Sequence, residues 1–208
     1  VRKNQGDPWV IQAKPKYAQD ALWRVIYDHD FRPLDNERGD GWSLPWVHNA
    51  GDGWDTGDKQ RSRVITFKSA TGGGRLKFDP TTLPHYNPER APGGYFTDWM
   101  AYDVTMSQAD GTSFNSSGEY PVFTVSDLKL SFFYERKSGD GPFRARMTKH
   151  DHEFVVEFEP STVRLKHQLP DGSTVEIPAL KKFDPSKFSG PIHVDFSNSD
   201  YHVTVRLN

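Results

Sequence analysis

The sequence predicts an all-β protein, an antiparallel β-sandwich or jelly roll, on three observations. Runs rich in β-branched and aromatic residues recur along the chain. Several of them alternate apolar with polar positions, and short Gly-, Pro- and Asp-rich turn signals separate them. Hydrophobic residues make up only 35% of the 208, whereas aromatics reach 13%. Few aliphatics and many rings suit thin β-layers with solvated loops, and strands at this spacing build sandwiches, jelly rolls or barrels.

The first candidate element is YAQDALWRVIYDHDF at 17–31. A helix would place Ala18, Leu22 and Val25 on one side, and a strand would place Trp23, Val25, Tyr27 and Phe31 on one face. Its β-branched and aromatic content favours the strand. Further strands are expected within 61–69, 95–106, 121–136, 152–160, 161–169, 173–180 and 201–208. In the last of these, Val203, Val205 and Leu207 share one face while His202, Thr204 and Arg206 share the other. Turn signals lie between them: TGGG (71–74), PGG (92–94), ADG (109–111), SGDG (138–141) and PDG (170–172).

The chain reads as one all-β domain over 1–208, with an internal duplication as one account of its pattern. DALWRVIYDH (20–29) aligns without gaps on DLKLSFFYER (127–136), placing Tyr27 on Tyr134. LKFDPTTL (76–83) echoes KKFDPSKF (181–188), and TDWMAYDVTM (97–106) echoes VDFSNSDYHVTV (194–205), in the same order. Two β-units of about 100 residues, spanning about 9–106 and 120–208, would produce this; so would chance likeness between β-rich segments.

If the halves are related, the interval 32–60 is the insertion that distinguishes them. It reads as one long loop, and loops longer than about 15 residues are commonly functional. It repeats Gly-Asp-Gly-Trp at 39–42 and 51–54 and carries Trp42, Trp46 and Trp54 together with His48 and Asn49. Indole faces stack on the C–H faces of a pyranose, and short polar groups bond its hydroxyls. These five residues form the candidate ligand-binding set, with carbohydrate as the expected partner. Loop anchoring is the competing role for the tryptophans.

Two candidate metal sets follow. Asp52, Asp55 and Asp58 offer oxygens for calcium on a tightly turning backbone. His150 and His152 share a strand face and Glu157 follows. That is the first half of a cupin-type metal signature; its flanking glycines sit at the wrong distances here and the second half's order is absent, although His167, His193 and His202 remain available. Glu157 with Glu159 is the nearest approach to a glycosidase carboxylate pair, but with Glu153 and Val155 on the same parity they read as the solvent face of a half-buried strand, opposite Phe154, Val156 and Phe158. Arg144, Arg146, Thr148 and His150 would share another face, a basic patch at most.

Composition bounds the rest. A formal net charge of -2 gives no footprint for nucleic acid, and no apolar run is long enough to span a bilayer. Cys is absent, which removes disulfides, thiolate metal sites and cysteine nucleophiles. No nucleophile elbow, phosphate loop or dinucleotide fingerprint is present. A first residue other than Met leads to the expectation that a leader or an upstream domain has been removed. The absence of Cys fits an extracellular, periplasmic or surface location, the expected one, though many cytosolic proteins also lack Cys. The functional expectation is a non-catalytic carbohydrate-recognition protein. A β-sandwich enzyme on polysaccharide or a cupin-like metal enzyme is the alternative, and a coat or surface subunit the second; whether the chain is an enzyme and what oligomer it forms stay open.

Overall fold

Antiparallel strands dominate the computed structural model, which describes residues 14–31, 44–57, 62–70, 72–82, 96–98, 123–125, 127–149, 151–178, 184, 190–200 and 202–208. In chain order these form helix α1 (Lys16–Leu22), then strands β1 (Trp46–His48), β2 (Trp54–Asp55), β3 (Thr66–Phe67) and β4 (Leu76–Phe78). A single 3-10 turn at Pro80–Thr82 precedes β5 (Thr97–Asp98) and β6 (Phe123–Thr124). The longer strands follow: β7 (Leu128–Tyr134), β8 (Phe143–Lys149), β9 (His152–Phe158), β10 (Val163–Gln168), β11 (Thr174–Ile177), β12 (Ile192–Ser199) and β13 (His202–Leu207). The chain divides into two compact units, Val1–Trp23 with Ser126–Asn208, and Arg24–Val125.

The first unit holds a four-stranded sheet ordered β11-β10-β9-β8 and a three-stranded sheet ordered β13-β12-β7, every pairing antiparallel. Alternation decides which residues are inside. Ala145, Met147, Val156 and Phe158 of the larger sheet and Val194 and Phe196 of the smaller one form a single buried cluster. Val156, Val194 and Phe196 lose all solvent contact, and burial of such side chains contributes roughly 1.5–3 kcal/mol each. Tyr134 stacks on Phe143 (centroids 4.9 Å apart, planes at 18°) at the margin of this cluster.

The PDG signal forms the turn it predicts. Leu169 N–H donates to the Ser173 carbonyl at 2.8 Å, and Gly172 takes a left-handed φ of 84° to close the hairpin between β10 and β11. Between β12 and β13 the left-handed residue is Asp200, with φ 46°. Its carboxylate accepts hydrogen bonds from the Lys14 amide (2.9 Å) and the Lys14 ammonium, while Gln19 on α1 bonds the Ser199 hydroxyl. The helix is thereby clipped to the β12–β13 turn.

That helix corrects the strand expected over 17–31. KYAQDAL at 16–22 contains no β-branched residue and is rich in good helix formers. The β-branched pair Val25–Ile26 comes only after the helix has ended at the extended Trp23. One composition average over fifteen residues merged two segments of different preference. Tyr27 consequently lies outside any strand while Tyr134 ends β7, so the alignment of 20–29 on 127–136 is not matched by equivalent structure. Most of 181–188 and 99–106, used in the other two echoes, lies outside the described residues.

Among the described residues the second unit holds three antiparallel ribbons, β1 with β4, β2 with β3, and β5 with β6. Phe78 on β4 is its aromatic hub. Trp46 meets it edge-on at 5.1 Å, and Tyr27 and Phe96 each lie 5.8 Å from it. Pro45 is fully buried, and its carbonyl accepts the Asp79 N–H at 2.7 Å.

Candidate functional site

The segment expected to be one long loop contains two short strands joined by a tight turn, His48 to Trp54. Asp52 organises it. One carboxylate oxygen accepts the Trp54 N–H at 3.2 Å and lies 3.1 Å from His48 Nδ1; the other accepts the Asn49 N–H at 3.2 Å. The Asp52 N–H in turn donates to the Asn49 carbonyl at 3.2 Å. Both neighbours of His48 Nδ1, the Asp52 carboxylate and the Asn49 carbonyl, are acceptors, so this nitrogen carries the proton. Burial pushes the Asp52 carboxyl up, but hydrogen bonds from Trp54 N–H, His48 and Asn49 N–H outweigh it and hold its pKa below the ordinary value.

The glycines of the second GDGW have distinct tasks. Gly51 takes a left-handed φ of 81° in open space. Gly53, at φ 91°, lies so close to the Lys68 carbonyl and the Phe67 ring that no side chain fits, and Lys68 N–H donates back to the Gly53 carbonyl at 2.8 Å. This closes β2 onto β3 and brings Trp54 against Phe67, ring centroids 5.0 Å apart. Trp54 is half-buried, and its indole Nε1 is buried with no acceptor among the described residues. Phe67 keeps 41% of its surface exposed, and His48 and Asn49 are exposed beside the turn.

The tryptophans therefore serve first as anchors. Trp46 packs on Phe78 and Trp54 on Phe67, each half-buried. Trp42 lies outside the described residues, as does Asp58. Of the proposed calcium ligands, Asp52 is committed to the turn and Asp55 accepts the Gly57 N–H at 2.9 Å. These carboxylates cap backbone amides, the task short acidic side chains perform in turns. The sequence left Phe67 and Phe78 unnamed as partners. The alternation of TF and LKF around TGGG was the signal.

The histidine set is separated by strand parity. His152 and Glu157 stand five residues apart on β9 and so lie on opposite faces, and His150 is outside the described residues. His152 instead meets His167 of β10, with His152 Nδ1 2.8 Å from His167 Nε2, and the His167 ring stacks on Phe154 at 4.5 Å. Burial and the neighbouring His152 push the His167 pKa below its ordinary value. No group of three His, Asp or Glu converges in a metal-binding arrangement among the described residues.

Glu157 corrects the expectation of a solvated face. It is only 3% exposed, and Val155 beside it is also buried. Arg144 Nε and Lys166 Nζ each reach the Glu157 carboxylate at 2.6 Å, from the strands on either side. The Lys166 hydrogen bond, against the opposing effect of burial, and then the Arg144 hydrogen bond hold the Glu157 pKa below its ordinary value. Arg146 pairs with Glu153 at 3.1 Å and Arg164 with Glu159 at 3.3 Å. The shallow cavity of about 190 Å³ over this face is lined by cations already matched to carboxylates.

On the smaller sheet, Ser131, His193 and Asp195 come together in a way that resembles a nucleophilic relay only by composition. Ser131 Oγ lies 3.0 Å from His193 Nε2, and Asp195 Oδ1 lies 3.8 Å from that same nitrogen. A relay needs the acid on the other imidazole nitrogen, where it fixes the tautomer that accepts the serine proton. Lys129 Nζ, 3.5 Å from Asp195 Oδ1, is the nearer counter-charge.

Comparison of the chain with protein-family models, with curated proteins and with solved structures finds no match. The site must be judged on its own geometry.

Proposed function

We propose that the protein is a non-catalytic recognition module for carbohydrate, working outside the cytoplasm, with the turn around Asp52 as its platform. The single observation that supports this reading is the Asp52 carboxylate bonded to His48, Asn49 and Trp54. It fixes a surface on which exposed His48 and Asn49 stand near the partly exposed Trp54–Phe67 ring pair. Such preorganisation favours binding because ordering the turn is already complete before the ligand arrives. Polar donors and acceptors beside aromatic faces are the chemistry a saccharide requires.

The first unit supports a β-sandwich reading, because one buried cluster draws residues from both of its sheets. A hydrolase reading gains nothing from Ser131, His193 and Asp195, whose order around the imidazole is wrong. Glycan-array and insoluble-polysaccharide binding test the proposal. The full chain should retain at least one glycan; Asn49→Ala should abolish retention with Tm nearly unchanged, and Phe67→Ala should abolish it with a lowered Tm, because Phe67 also anchors Trp54. Absence of any retained glycan, or equal retention by both variants, would refute it.

A further inference from the structure

His152 opens β9 and His167 lies near the end of β10, in a register where Phe154 faces His167. His152 precedes Phe154 by two residues, so it shares that face and stands one diagonal step from His167. Each imidazole nitrogen faces the other at 2.8 Å, and among the described residues neither ring bonds a carboxylate or a carbonyl. Both rings are only partly buried, so solvent reaches the pair.

The separation is close to that of two nitrogens sharing one ion. With metal–nitrogen bonds of about 2.0–2.1 Å, two ligands at a right angle lie about 2.8–3.0 Å apart, and two at a tetrahedral angle about 3.3–3.4 Å apart. The observed 2.8 Å is the length of the hydrogen bond between the two rings; it lies close to these spacings, and the turn of the rings that ligation needs sets the final separation. Right-angled nitrogen ligation is the preference of Cu(II) and Ni(II), and imidazole is a favoured donor for both.

We propose that His152 Nδ1 and His167 Nε2 form a two-imidazole chelate for Cu(II) or Ni(II), with water completing the coordination. The neutral pair loses no proton when the ion enters. The ring that donates the hydrogen bond carries its proton on the distal nitrogen instead, by exchange with water, and both lone pairs turn toward one point beside the N–N line. The broad χ2 torsion of histidine allows that turn. Phe154, stacked on His167 with planes at 23°, restrains one of the two rings. Lys149 faces His152 across β8 and β9, and Asp127 at 3.5 Å balances its charge.

The test uses the untagged full chain, stripped of metal with EDTA and titrated with Cu(II) at neutral pH. One equivalent should bind with an electron paramagnetic resonance signal split by two equatorial imidazole nitrogens. His152→Asn and His167→Asn should each weaken that binding by about tenfold or more, because a second linked ligand acts at high effective concentration. His193→Asn and His202→Asn, on the other sheet, should not. Ni(II) should also raise the Tm of the wild-type chain, a readout that needs no variant, and circular dichroism in EDTA reports whether each variant folds. A single-nitrogen signal, an unmoved wild-type Tm, or affinities for His152→Asn and His167→Asn within about twofold of wild type would overturn the proposal.

Discussion

Gly74 lies flat against the Trp54 indole: a β-carbon at Gly74 would stand 2.9 Å from Trp54 Cδ1 and 2.7 Å from the Phe67 ring. It would also meet the Asp52 carbonyl. Gly74→Ala should therefore destabilise the chain by about 1–3 kcal/mol, the usual cost of overpacking. Gly72 and Gly73 have nothing within 4 Å, so alanine there should be neutral or stabilising by up to about 1 kcal/mol. Urea unfolding followed by tryptophan fluorescence separates the three variants.

Removal of the cations around Glu157 should be strongly non-additive. Either Arg144→Ala or Lys166→Ala leaves one partner on a carboxylate that is almost completely buried, and each should cost roughly 1 kcal/mol. The double variant leaves the charge buried with neither partner and should approach about 3–5 kcal/mol. Glu157→Gln should cost less than the double variant, because Arg144 and Lys166 are 45% and 30% exposed and can reach water. A double-mutant cycle in urea with an excess of the double over the summed singles is the expected result.

The same carboxylate sets an acid limb. Its folded pKa lies below the ordinary 4.5, so the unfolded chain takes up the proton first as pH falls. The stability it supplies is complete above about pH 4.5 and is lost as pH drops through the depressed folded value. Urea midpoints measured between pH 6 and pH 3 should fall for wild type, and fall less for Glu157→Gln.

Two phenylalanines on neighbouring strands should differ sharply. Phe196 is fully buried in the cluster shared by both sheets, and Phe196→Ala should cost about 3–5 kcal/mol. Phe133 is 73% exposed and meets the His193 ring at a tilt, so Phe133→Ala should stay within about 0.5 kcal/mol of wild type. Thermal unfolding of the two variants checks both values.

These contrasts show what was readable before the structure. Period-two alternation placed β9 and β13 and put Phe154, Val156 and Phe158 inside, because parity is a local property of a strand. The same parity sets His152 and Glu157 on opposite faces, against their grouping as one metal set. What it could not supply was register: only the pairing of β9 with β10 brings His167 to His152, and only Arg144 and Lys166, arriving from both sides, bury Glu157. Within 32–60, composition marked the segment as special, but the backbone amides gathered by Asp52 depend on φ values at Gly51 and Gly53 that composition does not specify. The helix at 16–22 was hidden by the β-branched residues after it.

The clip between α1 and the β12–β13 turn has a consequence for synthesis. Lys14 and Asp200 are 186 positions apart, with the whole of Arg24–Val125 between them. At about 5–20 residues per second, Asp200 follows Lys14 from the ribosome by about 10–40 s. Late in that interval, after Phe158 and before Ile192 are made, the apolar faces of β8 and β9 exist without β12 to cover them. Residues 24–125 have already emerged and can fold first. The nascent first unit is thus the stage at which this chain is most exposed to misassociation, and chaperone capture should concentrate there.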